Sequence, residues 1–328
     1  MSDANRHDAV WYGDTPPPLS WRLVELLYAG ITSLRRRLYR TGTLRSHRIA
    51  RPVVVVGNLT AGGTGKTPLT IALIDALRAR GLAAGVVSRG YGGSERGPLM
   101  VDADSDAARV GDEPLLINRR TRAPVAIGRD RVAAANLLLE SAAVDVVIAD
   151  DGLQHYRLRR DVEICVVDGA RRFGNARLLP AGPLREPLAR LADVDFVVVN
   201  GGEAQGDEIP MRLANDGAYR VGDPQSRTDL AAFAGRRVHA VAGIGNPARF
   251  FDGLRARGID VVEHAFADHH AYVASDLAFG DDAPVLMTEK DAVKCRAFAM
   301  ASWWALPVAA SLPDAFCDAL AARVRASR

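Results

Sequence analysis

The sequence predicts an α/β fold: a mostly parallel sheet with helices on both faces, followed by a smaller C-terminal α/β unit. Three observations carry this. Apolar runs rich in β-branched residues, such as "VVVV" at 53–56 and "DVVIADDG" at 145–152, recur with helical stretches between them. Unbroken runs mark strands buried on both faces, and their alternation with helices marks parallel crossovers. Between Gly202 and Thr228 the chain turns polar and rich in Gly and Asp, after which "RRVHAVAGIG" begins a second strand–helix series.

Composition bounds the function. The 328 residues hold one large or two medium α/β domains. Hydrophobic content of 48% with 25% charged residues reads as globular, not disordered. Cys165, Cys295 and Cys317 show no metal or redox spacing, which favours a reducing compartment. The start "MSDANRHDAVWYGD" is polar and has no secretory pattern. A net charge of +3 is too small to argue for nucleic acid as a partner.

The first element is "LSWRLVELLYAGITSL", Leu19 to Leu34, which carries Trp21 and Tyr28. From Ser20 to Arg51 the charges are Arg22, Arg35, Arg36, Arg37, Arg40, Arg45, Arg48 and Arg51 against Glu25 alone. The run is too short and too charged for a membrane span. Two readings stay open. One is a helix lying in a membrane interface beside anionic lipid. The other is an ordinary helix packed on the domain, with a solvated basic end.

Next come a strand at "RPVVVVGN", a glycine loop "LTAGGTGKT" and a helix at "PLTIALIDALRARG", whose Leu69, Leu73, Ile74 and Leu77 fall at helical spacing. This is the context of a phosphate-binding loop, and so of a P-loop NTPase-like sheet. The usual pattern asks for Gly five places before Gly65, where this chain has Thr60. Gly62, Gly63 and Gly65 let the backbone approach an anion, and the helix start directs N–H groups at it. Thr60, Ala61, Gly62, Gly63, Thr64, Gly65, Lys66 and Thr67 are therefore the expected nucleotide-binding residues. Lysine usage supports Lys66: of 42 basic residues only Lys66, Lys290 and Lys294 are lysines, and the other 39 are arginines. A surviving lysine marks a place that needs a compact ammonium on a thin stem. The same logic flags "TEKDAVKC", 288–295, although two neighbouring lysines also arise by chance.

Further strands are expected at "AAGVVSRGYGG" (83–93), "VEICVVDG" (162–169) and "VDFVVVNGG" (194–202), with a helix at "RDRVAAANLLLESA". "VVIADDG" ends a strand in Asp150 and Asp151. In phosphate-loop enzymes an acid there holds Mg²⁺ beside the loop Ser/Thr, here Thr67. "GDEP" supplies Asp112 and Glu113, for which an exposed acidic turn is the common explanation. "DHHAY" supplies His269 and His270, without the spacing of a zinc site. "LPAGPLREP" is a Pro/Gly-rich loop carrying Arg185 and Glu186.

Taken in order, "GNLTAGGTGKTP", "SRGYGG", "GDEP", "DDGLQH", "LLPAGPLREP", "FADHHAY" and "TEKDAVK" form a specific set. The chain resembles the tetraacyldisaccharide 4'-kinase family, the lipid A 4'-kinases of Gram-negative bacteria. The resemblance runs from the N-terminal helix to "TEKDAVK", while the tail after about Phe298 adds little. The family's loop also lacks the strict first Gly.

The resemblance implies ATP- and Mg²⁺-dependent phosphorylation of the 4'-hydroxyl of a tetraacylated glucosamine disaccharide 1-phosphate, forming lipid IVA. It implies a monotopic enzyme on the cytoplasmic face of the bacterial inner membrane, touching anionic lipid and needing no obligate protein partner. It implies a membrane-interface segment at 1–50, a P-loop kinase domain at 51–205, a two-stranded linker at 206–228 and a C-terminal α/β domain at 229–328. Carried onto this chain, Asp112 and His269 form the pair that activates the sugar hydroxyl, with His269 preferred over His270. Lys66 joins them at the leaving phosphates. Asp150 and Asp151 take the metal with Thr67, and Glu186 joins that shell. Asn58, Arg89, Tyr91, Gln154 and His155 line the substrate side.

Two other readings are weighed. "AGGTGKT" resembles the loop of dimeric partner-switching ATPases, but Ala61 stands where they carry Lys. "TEKD" superficially resembles a guanine-reading motif, but Glu289 stands where Asn belongs and Asp291 follows Lys290 directly.

Overall fold

The computed structural model describes residues 3–215 and 217–328. Two helices open the chain, α1 (Asp3–Trp11) and α2 (Leu19–Arg40). The strand–helix series follows: β1 (Val53–Gly57), α3 (Lys66–Ala79), β2 (Ala84–Ser88), β3 (Leu99–Val101), α4 (Ala107–Val110), α5 (Asp112–Thr121), β4 (Val125–Ile127), α6 (Arg131–Ser141), β5 (Val146–Asp150), β6 (Val162–Asp168), β7 (Phe196–Asn200) and β8 (Ile209–Ala214). A second series has β9 (Gly217–Arg220), β10 (Arg227–Asp229), β11 (Arg237–Ala242), α7 (Pro247–Arg255), β12 (Asp260–Ala265), β13 (Val285–Thr288), α8 (Glu289–Cys295) and β14 (Trp303–Leu306). The chain ends in β15 (Ala309–Ser311) and α9 (Asp314–Ala326).

Nine strands form one sheet in the order β15-β8-β7-β6-β1-β5-β2-β4-β3. Its interior pairings are parallel and its two edge pairings antiparallel. The "VVVV" run of β1 is buried on both faces, as an unbroken β-branched run requires. Leu69, Leu73 and Leu77 of α3 cover one face together with Leu115 and Ile117 of α5. Ala134, Ala135 and Leu138 of α6 cover the other. The register pairs Val56 of β1 with Asp150 of β5. The loop leaving β1 and the aspartates ending β5 therefore share one crevice at the carboxyl ends of the strands, where open parallel sheets bind ligands.

Six strands form the second sheet, in the order β10-β9-β14-β13-β11-β12, with β11–β14 parallel. Phe251 and Leu254 of α7 sit in the core on one face, and Ala292 and Cys295 of α8 in the core on the other.

The crossing between the sheets differs from the expected blocks. Strand β8, placed in the linker by composition, pairs with β7 and belongs to the first sheet. The expected C-terminal unit also loses its end: β15 returns to pair antiparallel with β8, and α9 packs on the first core through Phe316, Leu320 and Val324. Each such buried side chain is worth about 1.5–3 kcal/mol, so the tail follows the apolar surface available to it rather than its place in sequence. It also covers what would be an open sheet edge.

Helix α2 inverts the usual pattern. Its exposed residues include Leu19, Leu23, Leu26, Leu27, Ile31 and Leu34, with Leu19 and Leu26 each 70% exposed, whereas Glu25 is buried. Glu25 accepts from the Arg177 guanidinium and from the Leu178 N–H. The Tyr28 hydroxyl donates to the Arg185 carbonyl, and Arg35 donates to that of Gln154. Polar contacts anchor the helix, and its apolar side faces outward. Among the described residues no helix is long and apolar enough to cross a membrane.

Candidate active site

The phosphate loop explains its own missing glycine. Thr60 bridges Leu184 in antiparallel pairing, while the Ala61 and Arg185 N–H groups bond to Pro183 and Leu59. Thr60 is held extended, so no left-handed residue is needed there. Gly65 is the opposite case: its φ is +95°, and a Cβ would lie 2.5 Å from Asn200 Nδ2. That amide donates to the Thr64 carbonyl and braces the loop from the end of β7.

Lys66 starts α3 and donates to Asn58 Oδ1 at 3.2 Å; its ammonium also lies 3.5 Å from Asp151. Asn58, expected on the substrate side, is fully buried and donates to the Gly62 carbonyl. It works inside the loop and aims Lys66. Asp151 is gripped by Arg185 at 3.0 and 3.2 Å. Burial alone would raise its carboxyl, but Lys66 and Arg185 hold it below the usual range.

Asp150 is pushed up to about 7, first by burial and then by the negative charges of Glu113 and Asp151. Thr70 Oγ1 lies 3.4 Å from it. Crowded carboxylates of this kind suit a hard divalent cation, which takes oxygen ligands. Among the described residues no three His, Cys, Asp or Glu converge as a ready-made metal cage. Mg²⁺ bound with a nucleotide takes one or two carboxylates and shares the rest of its shell with phosphates and water, so a site of that kind needs no such cage. Glu186 does not extend this set. One of its oxygens accepts from the Tyr156 hydroxyl and the other from Gln154 Nε2, which also donates to the Asn58 carbonyl.

Asp112 and His269, 157 residues apart, meet between the two sheets. His269 Nδ1 lies 3.1 and 3.0 Å from the two Asp112 oxygens. Asp112 is 3% exposed, so the acidic-turn explanation fails: the residue starts α5 and points inward. Gly111 permits this with φ +93°, since a Cβ there would lie 2.7 Å from the Tyr91 carbonyl oxygen. His269 itself has φ +61°, a left-handed conformation uncommon outside glycine. Burial favours the uncharged Asp112, but the His269 hydrogen bond and the charges of Lys290, His269 and Lys294 hold it below the usual carboxylate range. For His269, burial and Lys290 oppose charge, while the Asp112 bond and charge prevail and raise it above an ordinary imidazole. The exposed Tyr91 lies against the ring, its centroid 4.8 Å away.

Two further expected residues make fewer contacts. Arg89 is exposed at the end of β2. His155 is half-buried with Nε2 unpartnered, and burial followed by the charges of Arg131 and Arg160 pushes it down to about 4. Sequence reasoning missed Arg131. It is 4% exposed, its Nε has no partner, and burial lowers it to about 10 beside Asp150, Arg89 and Asp151. In a chain with 39 arginines nothing singled it out.

Helix α8 holds the two sheets together here. Glu289 accepts from Arg120 at 2.6 Å, Lys290 donates to Glu113 at 3.0 Å, and Lys294 lies 3.7 Å from Asp112. Asp291 is fully buried and accepts from Gly243 N and Thr288 Oγ1, which leaves it unable to read a guanine. The loop it fixes carries Gly245, where a Cβ would come within 3.3 Å of Gly63 N. The second sheet thus reaches the phosphate loop itself.

The family model for tetraacyldisaccharide-1-P 4'-kinase matches residues 19–325. The chain belongs to this kinase family. The tetraacyldisaccharide 4'-kinase of Stenotrophomonas maltophilia (strain R551-3) is 56% identical over 96% of this chain and 95% of its own. That of Xanthomonas euvesicatoria pv. vesicatoria (strain 85-10) is 54% identical over 97% and 96%. The crystal structure of the "apo" form of LpxK from Aquifex aeolicus in complex with ATP has a TM-score of 0.78 and 29% identity, covering 92% of this chain and 96% of that one. The α/β fold with a phosphate loop is therefore that of the kinase family, and the partner-switching and guanine-reading alternatives fall away.

Proposed function

We propose that the chain transfers the γ-phosphoryl group of ATP to the 4'-hydroxyl of a tetraacylated glucosamine disaccharide 1-phosphate, giving lipid IVA. The contact of Asp112 with His269, in a chain of this kinase family with a phosphate loop, carries this reading. Phosphoryl transfer needs alignment and charge neutralisation more than covalent help. The amides of 60–67 and the Lys66 ammonium cradle the leaving phosphates. Thr67, Asp150 and Asp151 are the residues that would hold Mg²⁺, which when bound neutralises phosphate charge. A sugar hydroxyl keeps its proton at neutral pH, so the Asp112–His269 pair accepts it as attack proceeds. Arg89, Tyr91, Gln154 and His155 line the acceptor side, and Arg131, whose Nε has no partner, joins them. Because the pair spans two sheets, closure of 217–306 onto the first sheet completes the site and excludes water.

The outward apolar side of α2 supports a peripheral membrane position. Its large exposed residues each forgo about 1.5–3 kcal/mol in water that an apolar medium returns. Arg37 and Arg40 lie toward its C-terminal end, suited to anionic lipid. The cytoplasmic face of the inner membrane, where ATP is available, and action without an obligate protein partner belong to the same reading.

The test is transfer of labelled phosphate from ATP to a lipid disaccharide acceptor in detergent. Labelled lipid that requires both Mg²⁺ and Asp112 is expected. ATP hydrolysis with no acceptor labelled would refute the assignment.

A further inference from the structure

Lys290 does not touch the phosphate loop, yet it is one of the chain's three lysines. Its side chain is 17% exposed, and its ammonium has three partners: Glu113 Oε1 at 3.0 Å, Asp268 Oδ1 at 3.0 Å and His269 Nε2 at 3.3 Å. The third is the informative one. An ammonium has donors and no acceptor. Nε2 therefore meets it with a lone pair, and the ring proton sits on Nδ1, facing Asp112. An imidazolium would set two donors and two positive charges against each other at that distance.

We propose that Lys290 is a positioning residue for the transfer, whose ammonium caps His269 Nε2 and so fixes the imidazole as the neutral Nδ1–H form that donates to Asp112. The inference rests on the reading of Asp112 and His269 as the proton-accepting pair, and adds what selects the state of its ring. Lysine suits the task because three small donors on one nitrogen can serve Glu113, Asp268 and Nε2 together, whereas a planar guanidinium spreads its donors in a fork.

The charged groups packed around the ring pull both ways: Asp112 at Nδ1 and Asp268, whose Oδ2 lies 3.7 Å from Nε2, favour a charged ring, and Lys290, closer to Nε2 at 3.3 Å, opposes it. From α5 come Asp112 and Glu113, from the loop Asp268, from α8 Lys290 and Lys294, and from the loop after β2 the Tyr91 ring. Of the two touching bases, lysine keeps its proton. Burial works against that, but Glu113, Asp112 and Asp268 hold it above an ordinary lysine. Burial opposes charge on His269, Asp112 and Asp268 pull it toward charge, and Lys290 is the charged neighbour that resists. Without it the ring charges at higher pH, and a charged ring pairs with Asp112 and weakens it as a proton acceptor.

The full-length protein, labelled with ¹⁵N-histidine, reports the ring state by long-range ¹H–¹⁵N NMR. Among its seven histidines, His269 is identified by the signals lost in His269→Gln. Wild type at neutral pH is expected to show Nδ1 protonated and Nε2 bare. In Lys290→Met, Nε2 becomes protonated, and the acidic limb of kcat/KM moves up by about one pH unit or more. Lys294→Met removes a neighbouring charge without touching Nε2, and it keeps the wild-type ring state. A protonated Nε2 in the wild-type protein overturns the proposal, and that spectrum decides even where a variant fails to fold. So does a Lys290→Met protein with unchanged ring state and acidic limb, or an equal change in both lysine variants. If Asp112→Ala leaves phosphate transfer intact, the catalytic reading fails while the spectra still report whether Lys290 sets the ring.

Discussion

The two halves of the site are built in opposite ways. The nucleotide half is local: Asn58 to Thr67, braced by Asn200, Leu184 and Asp151 within one sheet. The hydroxyl half is assembled from distant segments: Asp112 on α5, His269 in the loop after β12, and Lys290 on α8. The first is built from segments of the first sheet and is approached from the second at Gly245. The second exists only when the two sheets meet. Nucleotide binding and proton acceptance should therefore separate under mutation, and the second should depend on the gap between sheets.

The largest effect falls on the assembled half. Asp112→Ala and His269→Ala should each lower the single-turnover transfer rate by on the order of 10³-fold, within the range for positioned acid–base groups. The double variant should be little worse than either one, because residues acting as a unit are not additive. ATP affinity should persist in all three. Losses that multiply independently, with normal melting temperatures, would remove the pair and with it the contrast between the halves.

Lys66→Arg tests the local half. The charge is kept, but a guanidinium is too broad for a loop closed around phosphate and too wide for the contact with Asn58. Transfer should drop by about 10²-fold, comparable to losing one preorganised charge contact. Turnover within about threefold of wild type would show that bare charge suffices there and that lysine scarcity was no guide.

The same contrast explains what could be read from the sequence. The local half was legible because strand, glycine loop and helix are contiguous, and each leaves its own periodicity. Asp112 was ambiguous: "GDEP" looks like an exposed turn until α8 buries it. The fate of β15 and α9 was hidden because an amphipathic tail does not say which sheet it will cover. Asn58 is expected on the substrate side, and nothing in "GNLT" shows that its amide also folds back on Gly62 and Lys66. Arg131 was invisible among so many arginines. Lys290 and Lys294 were flagged by scarcity, but their partners Glu113 and Asp112 lie more than 170 residues away in sequence.

A smaller effect probes the gap directly. Gly245 lies where a Cβ would press within 3.3 Å of Gly63 N. Gly245→Val should hold the sheets apart by a few tenths of an ångström or more, lowering kcat/KM by about tenfold through misplacement of His269. The melting temperature should change little, since Gly245 is exposed and lies in none of the four hydrophobic clusters. A larger loss of ATP affinity than of transfer rate would mean that the loop contacts nucleotide and does not merely close over it.

The smallest catalytic effect is expected outside both halves, on α2. Arg35 and Arg36 are tied to the body, through the Gln154 carbonyl and Asp193, so reversing them would mix anchoring with surface charge. Arg37 and Arg40 are exposed at the same end of the helix and isolate the charge term. Arg37→Glu with Arg40→Glu should leave transfer in detergent within about twofold of wild type, because surface changes away from the site seldom matter more. Binding to anionic vesicles should fall by on the order of tenfold or more, at roughly 1 kcal/mol for each basic residue lost near the surface. The difference from wild type should shrink as salt rises, because the Debye length contracts from about 10 Å at 0.1 M to about 3 Å at 1 M. Replacing Leu23 and Leu27 by Ser should instead weaken vesicle binding at every salt concentration, since apolar burial is not screened. Equal vesicle binding by both variants and wild type would leave the outward apolar face of α2 without a membrane role.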